Sequence, residues 1–168
     1  MKRSGHAVLI GMMAMAILVW GGVQLAAEDY PQFSYDAGVG TGVTQDGTFF
    51  EVQAALNTHV NVWLTWRNSA FYRNAQEADD YFGLDTSMNA GHRISLGETA
   101  SLRPEAGLGY RVTNELRHAP FASAGTTLAL GDVTLGASAR YVAYELVSDD
   151  ESEFIYAITV SGRTRGRF

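Results

Sequence analysis

In the stretch Ser101-Leu102-Arg103-Pro104-Glu105-Ala106-Gly107-Leu108-Gly109-Tyr110-Arg111, Leu102, Ala106, Leu108 and Tyr110 share one parity. Ser101, Arg103, Glu105, Gly107, Gly109 and Arg111 share the other. Successive side chains of a β-strand point to opposite faces, so this period puts every charge on one face and the greasy groups on the other. The same period runs through the neighbouring segments. Phe50, Val52, Ala54 and Leu56 alternate with Glu51, Gln53 and Ala55, and Val60, Val62, Leu64 and Trp66 with Asn61, Trp63, Thr65 and Arg67. Phe82, Leu84, Thr86, Met88 and Ala90 alternate with Gly83, Asp85, Ser87, Asn89 and Gly91.

Extended in both directions, the pattern gives eight strands, at about 33–42, 48–56, 59–73, 80–94, 98–112, 120–130, 133–147 and 153–168. Asn57-Thr58, Ser95-Leu96-Gly97 and Gly131-Asp132 read as tight hairpin turns. Longer polar loops lie between them at Val43–Gly47, Asn74–Asp79, Thr113–Ala119 and Ser148–Ser152. Short turns on one rim and longer loops on the other are the build of a bacterial membrane barrel.

Alternation alone also suits a soluble sandwich, whose apolar face turns to a core. The aromatic residues discriminate. Twelve flank the four longer loops: Phe49, Phe50, Phe71, Tyr72, Tyr81, Phe82, Tyr110, Phe121, Tyr141, Tyr144, Phe154 and Tyr156. Tyr30, Phe33, Tyr35 and Phe168 lie near the opposite rim, and only Trp63 and Trp66 fall mid-strand. Rings with polar tips favour the boundary between lipid and water, so two belts enclosing a band of Ala, Leu, Val and Thr form the girdle of a membrane barrel. The girdle expected to face lipid comprises Phe50, Tyr72, Phe82, Tyr110, Tyr141, Phe154 and Tyr156 on one rim and Phe33, Tyr35 and Phe168 on the other.

The start of the chain agrees with export. Lys2 and Arg3 precede an apolar run from Ala7 to Trp20, and the small residues Gly21, Gly22, Ala26 and Ala27 lead to Glu28. That order reads as a secretory signal peptide over residues 1–27, leaving 28–168 as the barrel. The run is shorter than the ~20 residues of a spanning helix. No cysteine occurs, which excludes a lipidated Cys, a disulfide framework and a thiolate metal site. The only lysine leaves with the signal, and ten Arg then face eighteen Asp and Glu. So acidic a chain, with no lysine, is a poor partner for nucleic acid, whose phosphates are met by exposed Lys and Arg.

With the apolar face toward lipid, the other parity fills the lumen. It holds Asp36, Glu51, Asp85 and Glu105 together with Arg67, Arg93, Arg103, Arg111, Arg140 and Arg163, expected to form an ion-paired network. A charge on the lipid face at mid-membrane costs roughly 2–4 kcal/mol, and one-sided placement avoids it. Eight strands leave room for side chains but not for an aqueous channel, so the interior is expected to be plugged. Tyr156, Ile158, Val160 and Phe168 share the outward parity of the last strand. This resembles the C-terminal signal of bacterial outer-membrane barrels, which end in Phe after alternating apolar residues. Gly162, Thr164 and Gly166 stand where that family prefers larger groups. By architecture and pattern rather than by a diagnostic motif, residues 28–168 resemble the OmpA/OmpX-like eight-stranded class. The resemblance implies a monomer in the bacterial outer membrane, contacting lipid and lipopolysaccharide and read by the barrel-assembly machinery through its last strand.

No constellation for catalysis stands out, and the chain is expected not to be an enzyme. His118 and Ser123 form the only His/Ser pair near the outer rim and lack the His-x-Ser motif of lipid A deacylases. His59, His92 and His118 are too scattered to bind a metal by spacing, and no cofactor is implied. Gly38–Gly42 lacks the Lys-Ser/Thr ending of a phosphate loop. Asp46, Glu77, Asp79, Asp80, Glu115, Asp149, Asp150, Glu151 and Glu153 are expected to ring the outer surface, as divalent-cation ligands or as a solvated rim. The expected role is structural, in envelope integrity or surface interaction. The alternatives are a lipid A-modifying enzyme and a soluble periplasmic barrel that carries a small ligand.

Overall fold

A computed structural model describes residues 33–44, 47–75, 80–115, 117–147 and 152–162. The expected signal peptide, Arg163 and Phe168 lie outside the described residues. The described strands are β1 (Phe33–Thr44), β2 (Gly47–His59), β3 (Leu64–Ala75), β4 (Tyr81–Gly91), the two-residue β5 (Ile94–Ser95), β6 (Ala100–Thr113), β7 (His118–Leu130), β8 (Val133–Val142) and β9 (Glu153–Gly162). Each long strand pairs antiparallel with the next, β4 passing directly to β6, while β5 adds two pairs beside the start of β6. β1 pairs with β9 from Val43 opposite Phe154 to Tyr35 opposite Gly162. The eight long strands therefore close an up-and-down barrel whose backbone groups are satisfied between strands, as lipid requires.

Parity is realised in full along these strands. Leu84, Leu108 and Ile158 are outward and more than 60% exposed, whereas Glu51 and Arg111 are inward at 2% and 0%. An apolar outside around an ionic inside inverts the arrangement of a water-soluble barrel and is favourable only where acyl chains replace water.

Three connections differ from the expectation. The hairpin turn after β2 lies at Val60–Trp63, not at Asn57-Thr58. Asn61 makes that turn: its Oδ1 accepts the backbone N–H of Trp63 at 2.9 Å and of Leu64 at 2.8 Å. Asn57 instead points into the lumen, donating to Asp36 at 2.7 Å. Trp63 is thus a turn residue and Trp66 stands at the start of β3, level with Phe33 through Thr58, so the tryptophans mark a rim and not the middle of the wall. Only positions 45 and 46 separate the paired Thr44 and Gly47, so the first loop is short. The seventh strand ends at Val142 and is followed by the 3₁₀ turn Tyr144–Leu146. Asn61→Ala should lower stability by about 1 kcal/mol, the net value of a hydrogen bond or two at an exposed turn. The urea midpoint of the detergent-solubilised barrel measures it, and no shift would mean that the turn is held otherwise.

Candidate functional site

The lumen divides into two halves. The half toward β4's start and β9's start is filled by six charges. Arg111, wholly buried, donates Nε and Nη2 to the two oxygens of Asp85, both at 2.8 Å, and Nη1 and Nη2 to Glu51 at 3.0 and 3.1 Å. Arg140 donates to Asp85 and lies 3.9 Å from Glu51. Arg73 grips Glu153 with both terminal nitrogens at 2.6 and 2.8 Å and reaches Glu51 at 3.4 Å. Three guanidinium groups thus face three carboxylates, so the cluster is neutral although each member is buried. Two-pronged Arg–carboxylate contacts are the geometry in which burial of such charges is best offset.

Each guanidinium also rests on a ring, and each ring on a glycine. Arg73 lies 3.4 Å above Phe49, Arg111 3.8 Å above Phe71 and Arg140 4.8 Å above Phe121. Phe49, Phe71 and Phe121 stand directly across the ladder from Gly42, Gly83 and Gly109. A Cβ at those glycines would come within 1.9, 2.6 and 2.3 Å of the respective Cζ atoms. The missing side chains make the slots in which the rings lie, and cation–π attraction adds to the ion pairing of the guanidinium groups. Tyr81 completes this layer, packing edge-on against Phe71 and donating to Glu153 at 3.3 Å. The buried Tyr144 lies under Arg117, whose guanidinium is 4.5 Å from its ring centre.

These contacts correct the sequence reading of the belts. Phe49, Phe71, Tyr81, Phe121 and Tyr144 are inward and buried, so five of the twelve loop-side rings cap the ionic cluster rather than meet lipid. Glu153, expected at the outer surface, is a buried member of the cluster, and its partner Arg73 escaped notice. The parity that places Glu51 and Arg67 inside also covers Phe49, Phe71, Arg73 and Glu153. Of the expected girdle, Phe50, Tyr72, Phe82, Phe154 and Tyr156 are exposed on the loop side, with Tyr110 and Tyr141 half-buried. Phe33 and Tyr35 are exposed at the other rim, and Ile158 and Val160 are exposed along β9.

Toward the rim that carries Phe33 and Gly162, the lumen opens into a chamber of about 210 Å³. Asp36 is held there by Arg67 at 2.5 and 2.8 Å. Arg103 donates to Thr65 at 3.0 Å and comes only within 4.0 Å of Glu105. Arg93, expected in the ion network, is exposed at the rim and donates to the Ser101 hydroxyl at 3.0 Å; among the described residues it meets no carboxylate. His59 sits between Ser34 at 3.0 Å and Thr65 at 3.3 Å. Arg67→Leu should cost about 2 kcal/mol, less than removal of a fully buried partner, because Asp36 keeps Asn57 and faces the chamber. The melting temperature in detergent measures it, and an unchanged value would mean that the pair carries no stability.

The outward polar groups are locally satisfied. Asp80 accepts from Tyr72 at 2.6 Å and Asn74 at 2.8 Å, and Glu145 from Tyr141 at 2.6 Å and from Ser152. Those hydroxyls hold the exposed Glu145 carboxyl below its ordinary range. Glu115 is exposed, while Asp46, Glu77, Asp79, Asp149, Asp150 and Glu151 lie outside the described residues. His118 faces outward, 2.6 Å from the Tyr110 hydroxyl, whereas Ser123 faces the lumen and donates to Asn89 at 3.3 Å. The pair considered for catalysis is split between the two faces of one strand.

No protein-family model and no curated protein matches this chain. Solved structures do. A designed transmembrane β-barrel is similar over 82% of this chain and 100% of its own, with TM-score 0.61 and 15% identity. The outer membrane enzyme PagL is similar over 77% of this chain and 99% of its own, with TM-score 0.57 and 14% identity. Neisserial surface protein A, NspA, follows over 79% and 96%, with TM-score 0.54 and 12% identity. Identities this low speak to the fold. On that ground the chain has the architecture of the small eight-stranded outer-membrane barrels, the OmpA/OmpX-like arrangement.

Proposed function

We propose that this chain is a monomeric, non-catalytic protein of the bacterial outer membrane, exported by a cleaved signal, with an interior plugged against solute flow and a role in envelope integrity or surface contact. The neutral cluster of Glu51, Asp85, Glu153, Arg73, Arg111 and Arg140 beneath its aromatic cap carries this reading. Opening a path through it would separate several buried ion pairs at once, each costly to break. The outward Phe50, Tyr72, Phe82, Phe154 and Tyr156 suit contact with lipid and lipopolysaccharide. The alternating Tyr156, Ile158 and Val160 suit recognition by the assembly machinery.

Cell fractionation followed by gels of boiled and unboiled membranes tests the placement: the chain should sediment with the outer membrane and migrate in a heat-modifiable manner. Recovery from the periplasm without detergent would overturn it. Reconstituted protein should give no stable conductance steps in planar bilayers, and regular steps would refute the plug. Lipid A from cells expressing the wild-type or His118→Ala chain should give the same mass spectrum; a difference would establish an enzyme.

A further inference from the structure

The chamber near the Phe33 rim is unlike the rest of the lumen. The loop-side cluster balances three arginines against three carboxylates, whereas among the described residues Arg67, Arg93, Arg103 and Arg140 line the chamber against Asp36 and Glu105. Arg140 is committed to Asp85 and Arg67 to Asp36. Arg93 and Arg103 remain: Arg93 is bonded to a serine, and Arg103, whose Nη2 donates to Thr65 and the Trp63 carbonyl, comes only within 4.0 Å of its nearest carboxylate. Arg103 is also under-satisfied, since its Nε is buried without a hydrogen-bond partner among the described residues. Thr127 stands directly across the ladder from Arg103, and Ser138 and Thr159 lie on the next two strands; their hydroxyls line the chamber, and no hydrogen bond holds them among the described residues.

We propose that this chamber binds a small tetrahedral oxyanion, of the sulfate or phosphate kind, held by Arg93 and Arg103 together with the hydroxyls of Thr127, Ser138 and Thr159, which continue the lining from β6 to β9. These groups are N–H and O–H donors, and the lining carries surplus positive charge, the combination that planar guanidinium groups and hydroxyls supply to oxyanions. About 210 Å³ lies below the range of pockets for drug-sized ligands, so the occupant is small. The strands around the chamber are paired without a lateral gap, and Arg93, exposed and lining it, marks the entrance. An acyl-bearing phosphate headgroup would have to leave the bilayer and enter through that rim, which favours the free ion. The site concerns the half of the lumen that the plug leaves open, and it stands whether or not the barrel has a further role in the envelope.

Equilibrium dialysis of the refolded barrel in maltoside detergent, with radiolabelled sulfate and separately with radiolabelled phosphate, tests the assignment. About one ion should bind per barrel, displaceable by the unlabelled oxyanion but not by equimolar chloride. Arg93→Gln combined with Arg103→Gln should weaken binding at least tenfold. Thr159→Val, which leaves every charge in place, should weaken it several-fold. Heat-modifiable migration establishes that each variant is folded; if the double variant does not fold, Arg93→Gln alone and Thr159→Val decide. Absence of saturable binding, or binding unchanged in the folded variants, overturns the proposal. So does uptake that appears only when phosphatidylglycerol is added to the micelles, since the ligand would then be a headgroup.

Discussion

Replacing Arg111 with methionine should destabilise the refolded barrel by about 3–5 kcal/mol, the cost of stripping one partner from a buried ion pair. The reason is local. Arg111 is fully buried and spans Asp85 and Glu51 with four hydrogen bonds. Asp85 retains Arg140, but Glu51 is left with Arg73 at 3.4 Å and Arg140 at 3.9 Å. The melting temperature in detergent should fall by roughly 10 °C or more, given the usual conversion for a domain of this size. Lysine at the same position should recover part of the loss, because it restores the charge but not the two-pronged geometry. Glu51→Gln placed on the Arg111→Met background should also recover part, because it removes the charge that was stranded. An Arg111→Met barrel as stable as the wild type would show that ion pairing does not hold the interior together.

Gly109→Val should cost about 3 kcal/mol, near the upper end of ordinary overpacking penalties. The first added carbon would meet Phe121 Cζ at 2.3 Å and the Thr86 carbonyl oxygen at 2.5 Å. The ring can swing away, but the carbonyl is ladder backbone and cannot. Displacing Phe121 also removes the surface on which Arg140 lies, so the change should weaken the grip on Asp85 as well. Near-ultraviolet circular dichroism of the aromatic residues, read beside the melting curve, separates local ring displacement from general loosening. The companion Phe121→Ala, Gly109→Val double change should be less costly than the sum of its parts, since the clash with the ring disappears. Strict additivity would mean that ring and glycine are not coupled.

Much of the architecture was legible in a period of two. The charges at Glu51, Asp85, Glu105 and Arg111 against Leu84, Leu108 and Ile158 fixed which face each strand turns to lipid, because a slip of one residue would bury the wrong set. The errors arose where parity was abandoned for residue type. Rings at strand ends were read as girdle because Tyr and Phe favour interfaces, yet Phe49, Phe71, Tyr81 and Phe121 sit on the inward parity and serve as cation platforms. Glu153 was read as rim because acidic residues precede it, yet its parity with Ile155 and Ala157 points inward. The turn at Asn61 was missed because Asn57 is an equally good turn residue by type; only the pairing of Asn57 with Asp36 across the ladder distinguishes them. Which arginine meets which carboxylate could not be read, since strand stagger decides it. Glu51 and Arg111 are sixty residues apart in sequence.

The grip of Arg73 on Glu153 joins residues eighty positions apart, from β3 to the strand that closes on β1. It can form only when β3 and β9 face one another across the closed lumen. In an unfolded chain these side chains would be solvated ions, which on the proposed route to the outer membrane would help keep a greasy polypeptide dispersed in water. On the outer-membrane placement proposed above, neutralisation and insertion would be one event: the charges that make transit tolerable would cancel only at the moment they would become a burden.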